Sequence, residues 1–214
     1  NGANTLADVS EALTRLTGRQ ELPPMWSLGY ITSKYGYHNQ AETLGVVDTL
    51  KAAGYPVDGL VLDLYWYGKE QDMGRWAWDP QQWPDPKGML ANLKNQGVNV
   101  ITITQPYVLR NGRAIDNYKQ LAAGGMLMAD STGRAPQEVK IWVGEGGMFD
   151  VSNPKTRQWM ANRYKQLTDL GVTGWWGDLG EPEVHPETGL HANGLTARQY
   201  HNQYGNDWSG IVYN

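Results

Sequence analysis

The chain has 214 residues, 40% of them hydrophobic and 19% charged, with a net charge of −4, so it is long enough for a sizeable core and has the balance of a globular protein. The mild acidity gives no electrostatic case for nucleic acid or an anionic membrane as a partner. With no cysteine, disulfides, thiolate metal sites and cysteine nucleophiles are excluded, and no run approaches the roughly 20 apolar residues of a membrane span.

Thr5 to Thr17 carries Leu6, Val9, Leu13 and Leu16 at helical spacing and stops at Gly18, which predicts a lead-in helix followed by a linker to about residue 22. Met25 to Thr32, after Pro23-Pro24, reads as a short buried strand. Ala41 to Ala53 predicts a helix with Leu44, Val47 and Leu50 on one face, closed by Gly54. Gly59 to Trp66 is the next strand, Lys87 to Gln96 a helix stopped by Gly97, and Val98 to Thr104 a third strand. Pro154 to Leu170 predicts a long helix with Pro in its first turn and Gly171 at its end, and Val172 to Asp178 a fourth strand.

Four strands separated by helices pair in parallel through right-handed crossovers, because hairpins need only tight turns. The whole chain, 1–214, thus reads as one α/β segment. In such folds the loops at the carboxyl ends of the strands carry the chemistry. Those ends read Ser33-Lys34-Tyr35-Gly36-Tyr37, Asp63-Leu64-Tyr65-Trp66, Gln105-Pro106-Tyr107 and Asp178-Leu179-Gly180-Glu181. Aromatics crowd three of them and carboxylates enter two. The 10 Trp and 12 Tyr against a single Phe suit either core filling or contact with a partly apolar, hydroxyl-rich ligand such as a sugar.

The segment Gly174-Trp175-Trp176-Gly177-Asp178-Leu179-Gly180-Glu181-Pro182 is an apolar strand ending in two indoles and an acid. From the residues alone, Asp178 either caps the next stretch of chain, with Glu181 a solvated turn residue, or is a partly desolvated carboxylate suited to attack a cationic carbon.

This segment resembles the nucleophile motif of glycoside hydrolase family 31, the α-glucosidase family, Trp-x-Asp-Met-x-Glu-Pro. Trp176, Asp178, Glu181 and Pro182 match it, with Leu179 in place of Met and Gly180 where many members have Asn. The resemblance runs along the chain in the family's order. Pro24-Met25-Trp26-Ser27-Leu28-Gly29-Tyr30 with Ser33-Lys34-Tyr35-Gly36-Tyr37 is similar to its first barrel strand, and Val57-Asp58-Gly59 through Asp63 and Tyr65-Trp66 to its second. Ile141-Trp142-Val143-Gly144 and Phe149-Asp150-Val151-Ser152-Asn153-Pro154 are similar to the loop and helix start before strand four, and His201-Asn202-Gln203-Tyr204-Gly205 to the helix after it.

The resemblance implies the first half of a (β/α)8 TIM barrel, about four βα units over 23–214, and a retaining glycosidase acting on α-linked glucosides or oligosaccharides. It implies Asp178 as nucleophile, Glu181 as its support, and Asp63, Leu64, Trp142, Trp176 and Tyr35 as the lining of the subsite for the sugar being cleaved. Gln105 departs from the Asp that many members have after strand three. The acid/base is expected beyond strand four, outside this chain, so the chain alone is expected to be inactive. The same nucleophile serves hydrolysis, transglycosylation and lyase chemistry, and a carbohydrate-binding or self-associating module without turnover is the alternative.

His38, His185, His191 and His201 show no paired ligand spacing, so neither a metal nor a cofactor is expected. Trp76, Trp78 and Trp83 either extend the sugar-binding rim or pin a long loop onto the barrel. The start, Asn-Gly-Ala-Asn-Thr, has neither an initiator Met nor a leader pattern, so an excised segment is expected and the compartment stays open. A half-barrel leaves two strand edges and an apolar face uncovered, from which a homo-oligomer is expected.

Overall fold

Helix α1, Leu6–Thr17, begins in a capping box in which Thr5 accepts the Asp8 N–H and the Asp8 carboxylate accepts that of Thr5. The computed structural model describes residues 5–213, so residues 1–4 of the expected lead-in lie outside it. The predicted apolar stripe is present on α1, with Leu6, Val9, Leu13 and Leu16 all exposed.

The expected strand over Met25 to Thr32 is shorter. Ser27 donates to the Pro24 carbonyl through both its backbone N–H and its hydroxyl, at 3.0 and 2.8 Å, and so closes a 3-10 turn over Met25–Leu28. Only Ile31–Thr32 remain as β1. Helix α2, Gln40–Ala52, comes next, capped by Asn39. Strand β2, Gly59–Leu62, stops before the predicted Trp66 because Asp63 accepts the Leu64 N–H at 2.7 Å and starts a 3-10 turn over Leu64–Tyr67. Helix α3, Pro86–Asn95, and strand β3, Asn99–Thr104, fall where the pattern placed them.

Between residues 105 and 153 the chain adds what the strand–helix reading omitted: β4, Tyr107–Leu109, α4, Ile115–Ala123, β5, Val139–Ile141, and β6, Gly144–Met148. The long helix α5, Pro154–Leu170, ends at Gly171 in the left-handed region, then come β7, Gly174–Gly177, and α6, Ala197–Tyr213. Strands β1, β2, β3 and β7 form a four-stranded parallel sheet in that order, and β4, β6 and β5 a separate antiparallel sheet of three.

Strand alternation divides the parallel sheet into two faces. Leu60, Leu62 and Val100 are sealed by Val47 of α2, Met89, Leu90 and Leu93 of α3, and Leu167 of α5. Each such buried side chain contributes about 1.5–3 kcal/mol. Ile31, Val61 and Ile101 point the other way and stay partly open. At the amino end of this inner face lies Trp26, beside Gly59 and Gly174, where an added Cβ would crowd Ile31 at 3.2 Å and Ile101 at 2.9 Å. A second core ties the antiparallel sheet to α5 and α6 and includes Phe149, Met160, Tyr164, Tyr204 and Trp208.

The tryptophans after β2 pin a loop and do not extend a rim. Trp76 is buried with its ring 5.0 Å from that of Tyr164 and 5.6 Å from Phe149, and the Trp83 indole donates to the Tyr65 carbonyl at 2.9 Å. Among the described residues no helix is long and apolar enough to cross a membrane.

Candidate active site

Register sets Gln105 level with Asp178 at the carboxyl rim and Asp63 two residues lower, level with Ile103 and Trp176. Leu62 pairs with Thr102, and Thr104 with Gly177. Asp63, Gln105 and Asp178 are each one residue past a strand end, and all three have the parity of the inner face. The outer parity is fixed by Thr104, whose hydroxyl meets that of Tyr164 on α5 at 2.9 Å, and by Trp175, whose ring meets that of Tyr164 edge to face at 4.7 Å. Trp176 shares the inner face with Asp178.

Asp178 is held at the rim by its backbone N–H, which donates to the Thr104 carbonyl at 2.9 Å. The next residue, Leu179, has φ 58°, a left-handed conformation that a side chain with a Cβ adopts at a cost of about 1 kcal/mol or more. Such a kink turns the chain off the strand line immediately after the carboxylate. Burial raises the Asp178 carboxyl above the ordinary carboxylate range, and the charges of Glu181 and Glu183 push the same way against the Leu179 N–H.

Asp63 is only 6% exposed. Burial pushes its carboxyl up to about 6, with the charge of Asp178 adding to it and the Leu64 N–H opposing. The two acids therefore sense one another across β3. Beside them Tyr67, fully enclosed, donates from its hydroxyl to Gln105 Oε1 at 3.3 Å, and burial followed by the charge of Asp63 holds that phenol protonated. Tyr35 lies at the open edge of the same group and donates to Glu70 at 2.9 Å, with Tyr65 donating to the same oxygen at 3.3 Å. Burial and the bond to Glu70 push Tyr35 up to about 12.

The structure thus brings Tyr35, Asp63, Leu64, Asp178 and Glu181 within one neighbourhood. Trp142 and Trp176 are not core: they are 56% and 38% exposed, with no hydrogen bond or ring contact tying either to the carboxylates. Trp142 stands at the turn between β5 and β6. Sequence reasoning missed Tyr67 and Glu70, which no motif singled out. It also treated the histidines as scattered, whereas His185, His191 and His201 are joined side chain to side chain. Among the described residues no His, Asp and Glu cluster is arranged to hold a metal ion.

A parallel sheet with paired acids at its carboxyl rim is one arrangement among several until it is compared with known proteins. Residues 20–214 match the model of the glycosyl hydrolases family 31 TIM-barrel domain. The chain belongs to glycoside hydrolase family 31. It is 31% identical to alpha-glucosidase 2 of Bacillus thermoamyloliquefaciens, over 94% of this chain and 26% of that protein. It is 30% identical to human neutral alpha-glucosidase AB, over 94% of this chain and 22% of the relative. The fold superposes on a family 31 dextranase of Flavobacterium johnsoniae with a TM-score of 0.89 at 24% identity, covering 98% of this chain and 26% of the other. The chain therefore spans about a quarter of the length of the relatives it matches, and its parallel sheet is a portion of the family's (β/α)8 barrel.

Proposed function

We propose that this family 31 chain carries the nucleophile of a retaining enzyme that acts on α-glucosidic linkages, and that the nucleophile is Asp178. The observation that carries this reading is the placement of Asp178: one residue past β7, on the inner face with Trp176, followed by a left-handed residue and raised in energy by burial. An Asp178 oxygen attacks the anomeric carbon as the bond to the leaving oxygen breaks, and a second carboxyl group about 5–5.5 Å away gives that oxygen its proton. Water then releases the sugar from the glycosyl ester.

Within this proposal Asp63 accepts hydrogen bonds from hydroxyls of the cleaved sugar, with Leu64 beside it, Trp142 and Trp176 as apolar walls and Tyr35 at the floor. Glu181 keeps the local field negative, which favours positive charge developing on the sugar ring. The proton donor comes from outside these 214 residues, so the chain assayed alone turns over neither maltose nor an aryl α-glucoside. The names of the relatives support an α-glucosidic substrate, since two at 30–31% identity are alpha-glucosidases. The two edge strands β1 and β7 and the half-open inner face favour self-association of the chain in isolation.

In the parent protein a mechanism-based glucosyl inhibitor is expected to label Asp178, and Asp178→Asn to lower the chemical step by several powers of ten with the fold intact. Substantial activity in a folded Asp178→Asn parent, or a label on another acid, removes the assignment. Sedimentation of the chain alone at micromolar concentration tests self-association, which a clean monomer excludes.

A further inference from the structure

Three histidines with no common spacing, His185, His191 and His201, are linked ring to ring in a chain that ends on one buried carboxylate. Asp150, 2% exposed, lies just ahead of α5. Its Oδ1 accepts from His191 Nδ1 at 2.8 Å and from the Ser152 backbone N–H and hydroxyl, and its Oδ2 accepts the Ala192 N–H at 2.7 Å. His191 Nε2 meets His185 Nε2 at 2.8 Å, and His185 Nδ1 meets His201 Nδ1 on α6 at 3.3 Å. None of these groups belongs to the rim of acids described above. His185 and His191 lie in the segment that leaves Asp178 and returns at α6.

The proton positions are fixed by elimination. Asp150 is ionised, because the hydrogen bonds from His191 and Ser152 outweigh the burial that would raise its carboxyl. It needs a donor, so His191 carries its proton on Nδ1, and a neutral His191 then offers a lone pair at Nε2. His185 must donate to it from Nε2, which leaves a lone pair at His185 Nδ1. His201 must therefore donate from its own Nδ1. Each tautomer is dictated by the one before it, starting from the carboxylate.

We propose that Asp150, His191, His185 and His201 form a directional hydrogen-bond relay that positions the segment following Asp178, and whose direction reverses when it takes up one proton. Uptake at His201 Nε2 passes that residue's Nδ1 proton to His185 Nδ1, and His185 passes its Nε2 proton to His191 Nε2. The added charge then resides on His191 against Asp150, with one proton gained, two passed to the next ring and the His191 Nδ1 proton left on its bond to Asp150. Charge left on His185 itself is disfavoured: burial, then its two histidine neighbours, pull its imidazolium down to about 4. The other groups facing the relay are the rings of Tyr200 and Tyr204. The Tyr204 hydroxyl donates to the Phe149 carbonyl at 2.8 Å, and that of Tyr200 to Asp207, which lies 3.6 Å from Arg157. None of these competes for an imidazole nitrogen.

The nucleophile assignment enters only in naming Asp178 as the start of the positioned segment, and the decisive experiment does not depend on it. Nitrogen-15 NMR of the histidine-labelled full chain at pH 7 is expected to show Nδ1–H on His191, Nε2–H on His185 and Nδ1–H on His201. On acidification His191 becomes doubly protonated while His185 switches to Nδ1–H. Finding Nδ1–H on His185 at neutral pH, or averaged tautomers for all three, overturns the relay. In His185→Phe, which keeps ring volume but cuts the chain, the amides of Val184, Ala192 and Ala197 are expected to exchange about tenfold faster or more. Unchanged exchange in a folded variant removes the positioning role. Loss of glycosidase activity by Asp178→Asn in the parent protein, with the wild-type tautomers in place in the Asp178→Asn chain, separates this inference from the assignment of the nucleophile.

Discussion

The Tyr107 hydroxyl clasps Val184 from both sides, accepting its N–H at 2.7 Å and donating to its carbonyl at 3.1 Å. A β4 side chain thereby takes the place of a strand partner at Val184, ahead of the Ala129–Leu190 bridge. Tyr107→Phe keeps the ring and strips both bonds, leaving two backbone groups that only water can satisfy. We expect a loss of about 1–2 kcal/mol in urea unfolding, with exchange at Val184 raised more than elsewhere. A variant as stable as the wild type would mean that the clasp forms equally well with water.

Asp63 should behave as an acid kept for function at a cost in stability. Unfolded, it ionises near its ordinary 3.8, and folded only near 6. The fold therefore prefers the protonated form: the stability this group contributes is fully present below about 3.8, declines as pH rises, and is gone above about 6. That interval corresponds to on the order of 2–3 kcal/mol. Asp63→Asn, which can still accept the Leu64 N–H, should match the wild type near pH 3.5 and exceed it by about this amount at pH 7. In the parent protein the same change should weaken both binding and rate. A wild type more stable than Asp63→Asn at pH 7 returns Asp63 to a structural role.

Much of this was legible in the sequence because its cause was local. Helices α2, α3 and α5 announced themselves by apolar spacing and by the glycine or proline at their ends, and the rim acids by their place after apolar strands. The antiparallel sheet was not legible. Gly144-Glu145-Gly146-Gly147-Met148 has no strand composition, and its glycines answer to tertiary contacts: a Cβ at Gly146 would overlap the Val108 carbonyl, and one at Gly147 would lie 2.7 Å from Leu127. The histidines at 185, 191 and 201 have no common period, since the segment doubles back through the Ala129–Leu190 and Leu190–Thr196 bridges before α6 begins. Contacts made by a returning loop leave no trace in spacing.

Arg113 answers to the opposite pH logic from Asp63. It bonds Asp72 Oδ2 at 2.7 and 2.9 Å and Asp79 at 2.9 and 3.1 Å, and both acids are buried. Burial alone would raise the two carboxyls, and the bonds from Arg113 more than reverse that, leaving both below 3.8. Their contribution is present above the unfolded value and fades as pH falls through the lowered folded one. Arg113→Met strands the buried Asp72 and leaves Asp79 only Arg75 at 3.8 Å; losing the partner of a buried charge typically costs 3–5 kcal/mol, and with 41% of the Arg113 side chain in solvent about 2–3 is expected at pH 7. The deficit should shrink below pH 3.8, and one that is constant with pH would assign the effect to packing.

Gly180 stands where many family members carry Asn, and the structure supplies the reason in α6. A Cβ on Gly180 would overlap the six-membered ring of Trp208, and one on Gly205 would lie 2.7 Å from the Gly180 carbonyl oxygen. Trp208 cannot retreat: it is buried, and its indole donates to the Tyr164 hydroxyl at 3.1 Å. Gly180→Asn should therefore cost about 1–3 kcal/mol or more by overpacking, and Trp208→Ala about 3–5 kcal/mol by leaving a cavity. In the double variant the asparagine occupies part of that cavity, so the combined loss should fall short of the sum by about 1–3 kcal/mol. Urea unfolding of the four proteins measures this coupling. Simple additivity would show that Gly180 and Trp208 do not constrain one another, and the departure from the family motif would need another cause.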